Sequence, residues 1–466
     1  MNQHDRIAAA FDTQRAGTLR RRVKFGLRER LAALDALRAT IDRREKDILA
    51  ALSADFGKPE AETIFSEIMP VMQEIAHVRG HLRSWMKPRR IWPTMATIGT
   101  SAEIRPEPRG VCLIIAPWNY PFNLMFSPLV SALAAGNSAI LKPSEMTPAT
   151  SRLIAEIVAE SFSPDLVTVI EGDKDVAGRL LDLPFDHIFF TGSPQVGKIV
   201  MAAAAKNLAS VTLELGGKSP TIVGPGADLK KAAQWTTFGR FANAGQTCIA
   251  PDHVFVHEAV AAEFTAALRA EITNFFGAVA EQSADYARIV NDHHAERLRG
   301  LLDDAVTKGA RVVHGGKGKG RFIEPTLIEG MTPEMEIDHE EIFGPILPIM
   351  TFDDLDQTIA HINERPKPLA LYVFERDKAF IERVISGTSS GGVSVNASFL
   401  HYTHPGLPFG GVNNSGLGAA HGIHGFRAFS HEKSVLTNRF SPVPMLFPPY
   451  TDRVKRLIRM ARQLLG

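Results

Sequence analysis

Cysteine is scarce in this sequence: its 466 residues include only Cys112 and Cys248. Two widely spaced thiols exclude a disulfide scaffold and lack CxxC spacing, so a reduced, cytoplasmic setting is expected. An excess of either charge is also missing, since 52 Lys plus Arg face 51 Asp plus Glu. That balance gives no reason to expect a nucleic-acid partner. No apolar run approaches the ~20 residues of a spanning helix. The N-terminal stretch MNQHDRIAAAFDTQRAG is broken by charge and does not read as a signal peptide. Cys, His and carboxylates form no compact metal-ligand pattern, so no metal is expected. GGKGKG at 315–320 lacks Ser or Thr after its lysine and reads as an exposed turn rather than a P-loop.

What is present describes an ordinary soluble globular chain, with 45% hydrophobic and 22% charged residues. Its length exceeds what one core supports, so two large domains are expected. Leu31, Leu34, Leu37, Ile41, Ile48 and Leu52 recur near the helical period and predict one or two amphipathic helices closed by Gly57 and Pro59. A further helix is predicted from about 61 to 85, ending where Pro88 and Pro93 forbid continuation. From residue 101 the texture changes. SAEIRPEP alternates as an exposed strand does, and VCLII, SAILK, LVTVI and HIFF read as strands between helices. This alternation predicts an α/β fold with a doubly wound, mostly parallel sheet, whose ligand crevice lies beyond the carboxyl ends of the strands. A second α/β region is predicted to begin near Ser210, at VTLELGG.

Several strand exits carry residues suited to chemistry. Cys248 lies in FANAGQTCIAP, among polar and glycine neighbours, where a thiol can be reachable and activated; Cys112 lies in VCLII and reads as core. Asn119 in APWNYPF has two readings, an amide donor to a developing oxyanion or a helix cap. Lys142, Ser144 and Glu145 in LKPSE suit either ribose hydroxyls or a capped helix start. Gly192 and Ser193 in FTGSPQVG allow a tight turn into a helix N-terminus, where a pyrophosphate can sit. Glu214, within an apolar strand, reads either as a general base of raised pKa or as a paired structural carboxylate. Glu341 and Phe343 in EIFGP suit a sugar hydroxyl and a planar ring. HPGLPFGGVNNSGLG at 404–418 is too rich in Gly and Asn for a packed helix and reads as a shaped loop near a site.

Taken together and in order, these motifs resemble the NAD(P)-dependent aldehyde dehydrogenase superfamily: PWNYPF, LKPSE, FTGSPQVG, LELGGKSP, NAGQTC, EIFGP and PFGGVNNSG. The resemblance covers nearly the whole chain. The short N-terminus, QTCIAPD and the late FPPY resemble the family 3 group, and WMKPRR with LPFDHIFFTGS resembles its bacterial coniferyl aldehyde dehydrogenases.

The resemblance implies a Rossmann-type cofactor domain over 1–210, with 88–108 contributing to oligomerisation. It implies an α/β catalytic domain over 211–395, and a returning loop, oligomerisation segment and tail over 396–466. It makes Cys248 the nucleophile, Asn119 the oxyanion donor and Glu214 the base that activates water. Trp118, Lys142, Ser144, Glu145, Gly192, Ser193, Gly197, Glu341 and Phe343 become cofactor contacts. NAD is the expected cofactor, with NADP also accepted, because Glu145 suits an unmodified 2′-hydroxyl. An aromatic or medium-chain aldehyde and a homodimer are implied as well. A CoA-acylating dehydrogenase and a non-redox cysteine hydrolase are the alternatives. The C-terminal segment, with Val454, Leu457, Ile458, Ala461, Leu464 and Leu465 on one helical face and four basic residues opposite, is expected to pack rather than anchor to a membrane. His187, His421 and His424 are expected in packing roles, and His253 and His401 are candidates to alter pocket polarity.

Overall fold

The computed structural model describes residues 3–465, and the side chains of residues 5–463. Leu464 and Leu465 of the predicted tail face therefore lie outside the described side chains, as do Met1 and Asn2 of the N-terminal stretch altogether.

The amphipathic periodicity of the N-terminal third produces the helices Leu27–Arg43, Glu45–Phe56 and Met69–Trp85. Leu34, Leu37, Ile41, Ile48 and Leu52 are fully buried, in one core with Val71, Ile75 and Val78. Gly57 ends its helix in the left-handed conformation, φ 64°, as a glycine C-cap does. Met69–Trp85 follows a single π turn, Ile64–Ile68.

These helices cover a six-stranded sheet in the order Gly416–Leu417, Ser210–Leu215, His187–Gly192, Val111–Ile115, Ser138–Lys142, Val167–Val169. All its pairings are parallel except that of Gly416–Leu417, which runs antiparallel to Ser210–Leu215. The buried apolar runs seen in the sequence are the strands covered on both faces. A seven-stranded sheet follows, with Pro220–Val223, His253–His257, Ile346–Phe352 and Ala370–Phe374 at its centre. The third sheet joins Arg89–Ile91, Thr100–Pro108 and Ser430–Asn438 in antiparallel register. The fold is thus α/β, with a Rossmann-type sheet, a second α/β sheet and a small antiparallel element.

The expected change of region near residue 210 falls at the start of the strand Ser210–Leu215. Ser210–Leu215 pairs along its whole length with His187–Gly192 and belongs to the first sheet. The chain crosses to the second sheet through residues 216–219. A strand that ends in Gly-Gly has the same local pattern whether it closes one sheet or opens the next, and only the pairing decides. The tail forms the helix Asp452–Leu465, and among the described residues no helix is long and apolar enough to cross a membrane.

Candidate active site

The helix Leu229–Phe241 delivers the chain to a loop of unusual backbone. Asn243, Ala244 and Gly245 are all left-handed, with φ of 53°, 50° and 75°. Such strain persists only where the surroundings over-determine it, and it collects at functional sites. Here Gln246 is the pin: its Nε2 donates to the carbonyls of Asn243 (2.9 Å) and Arg288 (3.1 Å), and its Oε1 accepts from Val290 N (2.9 Å). Beyond the next turn the Tyr372 hydroxyl donates to the Ile249 carbonyl (2.6 Å), and Arg240 donates to that of Pro251 (3.1 Å). Cys248 is held between these anchors, partly exposed, whereas Cys112 is fully buried in the first sheet.

Asn119 reaches the same loop from the carboxyl end of Val111–Ile115. Its Nδ2 donates to the Gln246 carbonyl at 3.0 Å. Its side chain caps no helix; Asn123–Ala135 begins after Phe122 with no side-chain cap. An amide nitrogen has two N–H groups, and the Gln246 contact uses one of them. Next door, the Tyr120 and Thr247 hydroxyls share a 2.7 Å hydrogen bond, which ties Asn119's neighbour to that of the thiol.

Two carboxyls converge on Cys248. Burial raises the Glu214 carboxyl well above its ordinary value, and neither of its oxygens has a hydrogen-bond partner in the protein. Burial also pushes Glu341 up to about 8, with the Asp252 carboxylate adding to the effect. The Cys248 thiol is pushed up to about 12 by burial, then by Glu341 and Glu214. Asp252 differs. Burial would raise it, but Lys218, with Nζ at 2.5 Å, and the His253 ring hold it below the usual carboxylate range. Glu214 is therefore the orphaned carboxyl of the group and Asp252 the paired structural one.

Cys248 and Glu214 stand in the wall between two cavities. One, of about 860 Å³, is also lined by Trp118, Asn119, Gly192, Ser193, Glu341 and Phe343. The other, of about 730 Å³, is lined beside them by Phe65, Trp235, Phe238, Phe275, Phe399 and Tyr402. Both volumes fall in the roughly 300–1,000 Å³ range of ligand and cofactor sites. The 404–418 loop serves both, with Phe409 on the aromatic cavity and Asn414 on the other.

The donor set of the first cavity fits a dinucleotide. Ser193 caps the 13-residue helix Pro194–Lys206, accepting from Val196 N at 3.4 Å, and the first turn of that helix lines the cavity with Ser193, Pro194 and Gln195. Trp118 packs edge-on against Phe343 with ring centres 5.3 Å apart, and Phe343 is itself left-handed at φ 47°. A Cβ on Gly216 would overlap the Glu341 carboxylate, so this glycine is what lets Glu341 lie close to the strand end.

Four of the expected contacts are not among the residues that line either cavity. Gly197 does not face the cavity; its Cβ position is 2.7 Å from Leu215 Cδ2, so the missing side chain permits close helix–strand packing. Lys142 and Glu145 form an ion pair at 2.7 Å, and Ser144 bonds within its own turn. These three sit at the carboxyl end of Ser138–Lys142, outside the lining of either cavity.

The histidines divide in the same manner. His187 is buried against Ser210 and Thr212, and His424 lines neither cavity. His253 lines the first cavity, bonded to Asp252, while His401 packs near Phe409 behind the second. His421 stacks on Phe409 and also lines the aromatic cavity, a placement its glycine-rich neighbours gave no sign of. Sequence reasoning also missed Lys58, Glu67, Tyr120 and Gln246. Lys58 stands in the helix-ending stretch FGKP, where only its Gly and Pro carry a readable signal. Among the described residues no group of three or more His, Cys, Asp or Glu is placed to hold a metal ion.

Residues 3–435 match the Aldehyde dehydrogenase family. The chain is 46% identical over 427 residues to the 4,4'-diaponeurosporen-aldehyde dehydrogenase of Staphylococcus aureus, covering 91% of this chain and 92% of the relative. It is 42% identical over 457 residues to a probable coniferyl aldehyde dehydrogenase of Pseudomonas aeruginosa, covering 97% and 96%. Its fold superposes on the substrate-bound state of Staphylococcus aureus AldH with a TM-score of 0.93, at 42% identity, over 97% of this chain and 99% of that one.

Proposed function

The chain belongs to the aldehyde dehydrogenase family, and from that premise we propose that it oxidises an aromatic or medium-chain aldehyde to the carboxylate with NAD(P)+ and water. The observation that carries this reading is the position of Cys248 and Glu214 in the common wall of a polar-ended and an aromatic cavity. The aromatic cavity takes the aldehyde's apolar body, and burial there favours larger substrates by roughly 25 cal/mol per Å² of apolar surface.

Cys248 Sγ adds to the aldehyde carbonyl carbon as its thiol proton passes to a water molecule. The free N–H of Asn119 and the Cys248 backbone N–H stabilise the oxygen that becomes negative. NAD(P)+, when held in the first cavity, would supply the acceptor for the hydride, and loss of that hydride would leave the carbon on Cys248 as a thioester. Glu214 then takes a proton from water as the water oxygen attacks the thioester carbon; the C–S bond breaks, and the carboxylate leaves with the thiol restored. A carboxyl raised by burial is a stronger base once ionised, which suits Glu214 to this step. Its presence supports water rather than a CoA thiol as the acceptor.

Gly192, Ser193 and the following helix N-terminus would hold the pyrophosphate, with Glu341 on the nicotinamide ribose and Trp118 and Phe343 beside the same half. Lys142 and Glu145, with Ser144 in their turn, would meet the adenosine ribose. The carboxylate of Glu145 favours NAD, with NADP tolerated. The names of the two relatives, one a diaponeurosporen-aldehyde and one a coniferyl aldehyde enzyme, support an apolar or aromatic substrate. Ser430–Asn438 is an edge strand of the third sheet, and an unpaired edge supports pairing with a second copy, as in a cytoplasmic homodimer. Aldehyde-dependent reduction of NAD and NADP, measured without CoA across a panel of aldehydes, tests the reaction; reduction that requires CoA would replace this reading with the acylating one.

A further inference from the structure

Behind the site lies an ion pair that the reaction does not itself use. Lys58 and Glu67 meet at 2.6 Å with both side chains fully buried. Removing two charges from water is costly, and a well-packed apolar pair of similar size is often as stable or more so. The partners of this pair show what it does instead. Lys58 Nζ also donates to the backbone carbonyl of Asn119 at 3.2 Å and stands 4.0 Å from the ring centre of Tyr120. The second oxygen of Glu67 accepts from Phe122 N (3.2 Å) and Asn123 N (2.9 Å). One ion pair thus grips residues 119–123 at both ends.

The other side of this segment is gripped by the nucleophile loop. Asn243 Nδ2 donates to the same Asn119 carbonyl at 2.9 Å, and Asn119 Nδ2 donates to Gln246 O. Tyr120, beneath the ammonium, holds Thr247 next to Cys248. Glu67 also lies in the π turn Ile64–Ile68, a helix defect of the kind found at functional sites.

We propose that Lys58 and Glu67 are positioning residues for the oxyanion site, fixing the Asn119 backbone so that its free amide N–H meets the carbonyl oxygen attacked by Cys248. The assignment rests on the oxyanion role proposed for Asn119. Neither residue touches substrate; both act through Asn119 and, by way of Tyr120, through the turn that carries the thiol. Displacing a reacting geometry by an ångström costs on the order of 100-fold in rate.

The test is a double-mutant cycle on single-turnover hydride transfer in the full-length protein with NAD+. Lys58→Met, the charge-free pair Lys58→Met with Glu67→Leu, and the isosteric Glu67→Gln are each measured with Asn119 and with Asn119→Ala. With Asn119 present, Lys58→Met should slow hydride transfer by about 10–100-fold with aldehyde KM little changed. In the Asn119→Ala background the same change should cost less than about threefold, because the group it positions is gone. The charge-free pair should remain folded and show the same background dependence, and Glu67→Gln should show it at smaller size. Equal losses in both backgrounds would overturn the proposal, as would a loss accounted for wholly by a smaller folded fraction. If Asn119→Ala alone leaves hydride transfer intact, the oxyanion reading fails and this inference with it; a slow Asn119→Ala with additive Lys58 variants overturns the inference alone.

Discussion

Gly416 lies directly opposite Glu214, where the two-residue strand Gly416–Leu417 pairs antiparallel with Ser210–Leu215. The glycine-rich loop thereby fixes the strand end that carries the proposed base. The approach is close: a Cβ on Gly416 would stand 2.5 Å from the Leu213 carbonyl oxygen, and one on Gly411 would overlap the Ser415 carbonyl.

Gly411→Ala should therefore displace backbone rather than a flexible side chain. We expect a loss of about 1–3 kcal/mol in stability and reduced turnover in the molecules that remain folded. Denaturant unfolding with activity per folded molecule checks this, and wild-type values for both would show that the loop does not support Glu214.

Glu341→Gln should lower the Cys248 pKa. Glu341 is one of the two carboxylates that raise the thiol, so removing its charge eases ionisation, and the thiolate is the reactive form. Since Glu341 itself is raised to about 8, the effect belongs to the alkaline side, where its carboxylate exists. The pH profile of Cys248 alkylation by iodoacetamide should shift toward lower pH in the variant. Cys112, fully buried, should not contribute. A profile that is unchanged or shifted upward contradicts this electrostatic account.

How much of this was readable in advance follows the range of each interaction. The helices around Leu34 to Leu52, the buried strands and the motif residues Cys248, Asn119 and Glu214 depend on patterns a few residues long, which any local reading sees. The membership of Ser210–Leu215 depends on pairing with His187–Gly192, and that partner leaves no trace in the strand's own residues. Gly197 looked like a cofactor glycine, yet the space it leaves is taken by Leu215. Lys58 was least legible: a lysine after a helix-ending glycine reads as surface, and only the arrival of Glu67 and the Asn119 carbonyl makes its burial tolerable. The left-handed Phe343 is likewise a tertiary outcome, since nothing in EIFGP marks a residue there for φ above zero.

Substrate preference should follow the aromatic cavity. Catalytic efficiency with cinnamaldehyde-like and medium-chain aldehydes should exceed that with acetaldehyde, and Phe238→Ala should reduce the advantage by loosening the Phe65, Trp235 and Phe399 ring contacts. A panel of coniferaldehyde, benzaldehyde, hexanal, decanal, succinate semialdehyde and acetaldehyde measures it. Preference for acetaldehyde or the charged semialdehyde rejects this assignment of the cavity.

Cofactor choice is checked by kcat/KM for NAD and NADP with one good aldehyde. Glu145, whose carboxylate pairs with Lys142, should favour NAD by repelling a 2′-phosphate, and Glu145→Gln should improve use of NADP. An overwhelming NADP preference in the wild-type protein contradicts the ribose role given to Glu145.

The central claim is that Cys248 carries the acyl group and Glu214 directs water to release it. The most direct measurement is intact-protein and peptide mass spectrometry of Glu214→Gln quenched during reaction with an aldehyde and NAD+, beside Cys248→Ala. The account predicts an initial burst of NADH in Glu214→Gln, matched by an acyl mass on the Cys248 peptide that persists because hydrolysis is slow. Cys248→Ala should bind NAD+ but give neither NADH nor adduct. Carboxylate formation at the wild-type rate in Cys248→Ala, or unimpaired thioester hydrolysis in Glu214→Gln, would contradict it.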